Sequence, residues 1–67
     1  MAITMDDLKD KLGKRCVVVF ESGRSFEDRL IGWASNKYGF YLQFEEVGWV
    51  DISILLELRE VPEVRKH

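Results

Sequence analysis

The first apolar residues of the chain recur at a helical spacing. Met5, Leu8 and Leu12 fall on one stripe, with Asp6, Asp7, Lys9, Asp10 and Lys11 between them. Thr4 stands at the N-cap with Asp7 three residues on, the spacing of a capping box, and Ile3 and Leu8 are placed as a hydrophobic staple. Acidic residues in the first turn and lysines toward the other end complement the helix dipole. Gly13 is the expected stop. The spacing predicts a helix over about residues 5–12, too short to stand alone and therefore packed on something.

After Gly13 the period drops to two. Residues 15–21 are β-branched and aromatic and apolar on both faces, a first strand. A turn at Ser22-Gly23 leads to a second strand with Phe26, Leu30 and Asp28 on one face and Glu27, Arg29, Ile31 and Trp33 on the other. A polar turn at Ala34, Ser35, Asn36 and Lys37 follows. The third strand alternates cleanly, Tyr38, Phe40, Leu42 and Phe44 against Gly39, Tyr41 and Gln43. Residues 45–48 make a turn, 49–52 a fourth strand, and a corner near Ser53 and Ile54 opens a fifth over 55–61. Pro62 ends the pattern, and the last residues read as a tail.

A helix followed by five short, tightly connected strands predicts an all-β small barrel with an N-terminal α-helix, built from one strongly bent antiparallel sheet. Such a barrel needs its second strand to bend, which makes Gly32 the corner and Gly23 the hairpin glycine. The expected organisation is one domain over residues 1–67, with the helix at about 5–12, the barrel at about 14–61 and the tail at 62–67.

Composition narrows the picture. A chain of 67 residues buries only roughly 60% of its unfolded surface, so small domains lean on disulfides, a metal or self-association. A single cysteine, Cys16, makes no internal bridge, and Cys16 with His67 gives no zinc-ligand spacing, so no metal and no cofactor is expected. The 46% hydrophobic content points to association, here with copies of itself. No long apolar run suggests a membrane partner, and the lone thiol suggests a reducing, cytoplasmic setting. A net charge of −2 argues against a generic polyanion binder. Lys9, Lys11, Lys14 and Arg15 cluster nonetheless, as a basic rim or a solvated face. Without a phosphate-cradling glycine loop or a base near Cys16, no enzyme is expected.

The run Val17-Val18-Val19-Phe20, the turn Gly23-Arg24, then Arg29-Leu30-Ile31-Gly32-Trp33 and Tyr38-Gly39-Phe40-Tyr41-Leu42 resemble the first motif of the Sm-like protein family, which includes the bacterial host-factor-Q RNA chaperones. The capped helix matches too, and the resemblance covers about residues 4–61. The chain departs from the pattern at Asp28, where the family has glycine, at the loop Asp and Asn positions, and near Ile52-Ser53, where Arg-Gly or Lys-His is usual.

The resemblance implies a ring of copies, the fourth strand of one pairing with the fifth of the next. Interface candidates are Trp49, Val50, Ile52, Leu56 and Leu58. It also implies non-covalent binding of single-stranded RNA, with Tyr38 stacking on a base, Ser35, Asn36 and Lys37 meeting phosphate or base edges, and Ser53 standing for the second-motif residue. The residues alone also allow Tyr38 as the first inward residue of a strand and 34–37 as a solvated turn. The alternative function is a structural or protein-interaction ring without an RNA site.

Overall fold

The computed structural model describes residues 4–62. Helix α1 (Met5–Lys11) starts at Thr4, whose Oγ1 accepts the Asp7 N–H at 3.2 Å while the Asp7 carboxylate accepts the Thr4 N–H at 3.4 Å. The predicted capping box is present, and such a cap is typically worth about 1 kcal/mol. Ile3, the other half of the predicted staple, lies outside the described residues, as do residues 63–67 of the predicted tail. Of the predicted stripe only Leu8 is buried; Met5 and Leu12 are nearly half exposed. The helix ends one residue early, and the extended backbone of Leu12 takes its side chain off the stripe. One leucine therefore fastens α1 to the core.

Five strands follow: β1 (Arg15–Phe20), β2 (Ser25–Asn36), β3 (Gly39–Phe44), β4 (Gly48–Asp51) and β5 (Leu55–Glu60), with a 3₁₀ turn (Ile52–Ile54) between the last two. They form one antiparallel sheet in the order β4-β3-β2-β1-β5. The chain is thus mostly β with an N-terminal helix, as the pattern predicts. Strands β4 and β5, consecutive in sequence, are the two ends of that order.

Strand β2 is the pivot. Its residues Ser25 to Arg29 pair with β1, and Leu30 to Asn36 pair with β3. The β3 register slips between Leu30 and Gly32, and an extra residue on one strand bends it and raises its twist. Gly32 sits at this corner, as predicted, but without a positive φ. A Cβ there would meet only Gln43 Oε1 at 3.5 Å, an ordinary contact. The bend comes from the unpaired Ile31 rather than from the freedom of a glycine. Gly23, with φ +92°, does use that freedom in the β1–β2 hairpin.

The core holds Leu8, Cys16, Val18, Leu30, Leu42, Phe44, Val50 and Leu55. Phe26 packs edge-on to Phe44, with ring centroids 5.1 Å apart, and Phe20 stands 5.6 Å beyond it. Trp33 packs partly buried against this cluster, whereas Trp49 is exposed. Among the described residues no helix is long and apolar enough to cross a membrane.

Candidate functional site

The β2–β3 hairpin runs further than the sequence suggests. Ala34, Ser35 and Asn36 belong to β2, with Ser35 opposite Phe40 and Asn36 opposite Gly39, so the loop is only Lys37 and Tyr38. Two-residue loops favour positive φ at their centre, but no described non-glycine residue has one. The Asn36 side chain supplies the turn instead. Its Oδ1 accepts the Tyr38 N–H at 2.7 Å and the Gly39 N–H at 3.2 Å, an Asx turn.

Tyr38 is consequently displaced from the strand and stands 77% exposed at the tip. The reading of Tyr38 as the first inward residue of β3 does not hold; the alternation that reaches the core starts at Phe40, which packs against it. Lys37 Nζ lies 5.1 Å from the centre of the Tyr38 ring, within cation–π range. A cation occupies one face of such a ring and leaves the other open to a flat partner.

Opposite pairing of Tyr41 with Asp51 brings the end of β4, and the 3₁₀ turn after it, to the same end of the sheet as this tip. Asp51 accepts the Ser53 N–H at 2.9 Å and caps the turn, leaving Ser53 exposed. The structure therefore gathers the predicted Ser35, Asn36, Lys37 and Tyr38 on one hairpin end, with Ser53 on the neighbouring turn. Asn36 has its carbonyl oxygen committed to its own loop and offers a partner only its amide N–H groups.

The predicted interface residues divide. Trp49 on β4 and Leu56 on β5 are more than half exposed. Val50 is buried in the chain's own core, and Ile52 and Leu58 pack partly against it. At those three positions the side chain serves the core.

Of the predicted basic cluster, Lys14 pairs with Glu60 at 3.4 Å and Arg15 with Glu27 at 2.8 Å. Arg29 meets Glu45 at 3.4 Å and Arg59 meets Glu57 at 3.1 Å. All are solvent-exposed pairs, a type worth little stability. Glu21 donates its N–H to the Ile54 carbonyl at 3.0 Å. There an apolar cleft of about 390 Å³ opens beside the start of β5, lined by Phe20, Glu21, Ser22 and Ile54.

Sequence reasoning placed Asp28 on the inward face and gave it no role. The structure buries it to 1% exposure and satisfies both oxygens. Oδ1 accepts the Arg29 N–H at 2.7 Å, and Oδ2 accepts those of Glu46 and Val47 at 2.9 Å each. Burial pushes the carboxyl up, but the N–H groups of Val47, Glu46 and Arg29, with the charge of Arg15, outweigh it and hold it below its ordinary value of 3.8. The signal was available as one acidic residue on the apolar parity of a strand. Cys16, fully buried, donates to the Lys14 carbonyl at 3.6 Å, and burial pushes its thiol above the ordinary value.

Comparisons with protein-family models, curated proteins and solved structures returned no match.

Proposed function

We propose that the chain is an Sm-like module that assembles into a ring of copies and binds single-stranded RNA without chemistry, in a cytoplasmic setting. The observation that carries the RNA reading is the exposed Tyr38 ring, fixed at a hairpin tip by Asn36 and flanked by Lys37. An aromatic face stacks on any base, and a lysine beside it meets the phosphate. Ser35 and Ser53 add hydroxyls at the same end of the sheet.

The assembly reading rests on the strand order. Among the described residues, edges β4 and β5 each carry an unpaired row of backbone groups, and pairing one copy's β4 with the next copy's β5 would satisfy both. A head-to-tail contact of this kind stays soluble by closing into a ring. Trp49 and Leu56 are the exposed apolar side chains on those edges.

The deciding experiment is fluorescence anisotropy with labelled uridine-rich and adenine-rich single strands, at low and moderate salt. Affinity should fall with salt at a slope of about −0.7 per phosphate contact. Tyr38→Ala should weaken binding by about five- to a hundredfold, the worth of one stacked base. A second reading, a structural ring without an RNA site, is favoured by the net charge of −2 and by the internal use of the Asn36 oxygen. Absence of binding at low salt, with an oligomer intact by light scattering, would select it.

A further inference from the structure

The ladder between β2 and β3 ends at Leu30 and Phe44, and the next residue, Glu45, still donates its N–H to the Arg29 carbonyl at 3.0 Å. Beyond that point the chain turns away. The N–H groups of Glu46 and Val47 both go to the Asp28 side chain. Three successive amides of the β3–β4 turn are thus anchored on two adjacent residues of β2. Consecutive N–H groups in a turn make an anion-binding concavity, and here the anion comes from the chain itself.

We propose that Asp28 is a latch holding the β3–β4 turn and the edge strand β4 on the body of the sheet, so that releasing it lets the turn and β4 open together while β1 and β2 stay folded. Within the single chain, little else among the described residues holds β4. Among the described residues it pairs with β3 alone, over four residues, and Val50 is its one buried side chain. Trp49 faces outward and Gly48 brings no side chain. A segment with few buried contacts opens at low free energy unless something anchors it. The anchor lies at the N-terminal end of β4, while at the other end Asp51 is occupied in capping the 3₁₀ turn.

The latch acts within one chain and stands apart from the assembly reading. Only its effect on pairing between copies rests on that reading. It would place control of one sheet edge on a residue of β2.

The test is amide hydrogen exchange, residue by residue, in the wild type and in Asp28→Asn, which keeps the volume and loses the charge. Exchange should speed up by at least about tenfold at Glu46, Val47 and the hydrogen-bonded amides of β4, with Val18 and Leu30 unchanged. No change, or equal acceleration over β1 and β4, would overturn the latch. Should the variant not fold, wild-type exchange in sub-denaturing urea decides. Glu46, Val47 and β4 should share an opening that costs less than that of Val18, and a single opening shared with Val18 would overturn the proposal. Light scattering on the same samples separates the two readings, because a latch that opens in an intact oligomer would refute assembly through β4 alone.

Discussion

The Asn36 side chain accepts the backbone N–H of Tyr38 at 2.7 Å, so one residue shapes the hairpin tip and the next but one is what the tip displays. Asn36→Ala removes the acceptor for two N–H groups and should destabilise the fold by about 1 kcal/mol. Asn36→Asp keeps the acceptor and should stay near wild type in urea unfolding. If the tip binds RNA as proposed, Asn36→Ala should weaken binding in RNA titrations less than Tyr38→Ala does, because it loosens the position of the tyrosine ring without removing it.

Leu56 and Leu58, both interface candidates by sequence, should behave differently. Leu56 is exposed whereas Leu58 packs on the core. If copies pair through β4 and β5 as proposed, Leu56→Lys should abolish that assembly in light scattering while leaving the far-ultraviolet circular dichroism unchanged. Leu58→Lys should lower stability by about 2 kcal/mol or more. An intact oligomer of Leu56→Lys would move the interface elsewhere.

Acid should act through Asp28. Its folded carboxyl lies below the unfolded value of 3.8, so the stability it contributes is present above that value and is lost as pH falls through the folded one. Asp28→Asn should therefore be less stable than wild type at neutral pH, with the two thermal midpoints converging as pH falls below 3.8 and through the lower folded value. A gap that stays constant down to low pH would mean that the charge of the carboxylate is not what matters.

Cys16 should report unfolding. It is fully buried and its thiol is raised by burial, which disfavours the reactive thiolate. An aromatic disulfide reagent should label it on the order of a hundredfold more slowly in the native protein than in urea.

The glycines separate conformation from space. Gly23→Ala places a side chain at φ +92° and should cost about 1–2 kcal/mol although nothing lies nearby. Gly32→Ala should be nearly neutral in urea unfolding, since its backbone is ordinary and Gln43 Oε1 is at contact distance.

How much of this was legible depends on how far apart the partners are in the chain. Thr4 and Asp7 are three residues apart, and their capping box could be read directly. The strands follow a period of two that local sequence displays. Tyr38 misled because it has the parity of Phe40, Leu42 and Phe44, and parity does not reveal that the Asn36 side chain has taken the N–H groups of residues 38 and 39. Asp28 was correctly placed inward, but two of its three donors are 18 and 19 residues away, beyond any local pattern. The slip at Ile31 is likewise a property of the pairing and not of β2 alone. At the tip, the exposure of Tyr38 and the internal use of the Asn36 oxygen both depend on the turn geometry and not on residue type alone.

One consequence of the strand order concerns curvature. In a flat sheet of five strands the outer two would lie about 19 Å apart. Here those outer strands, β4 and β5, are joined by only Ile52, Ser53 and Ile54. Even fully stretched, the chain from Asp51 to Leu55 reaches about 14 Å, and wound as a 3₁₀ turn it reaches less. The sheet is therefore obliged to roll up until its ends come within that reach. The turn is a tether whose length limits how far the roll can relax, and inserting a few residues into it would let the roll loosen without touching a single strand.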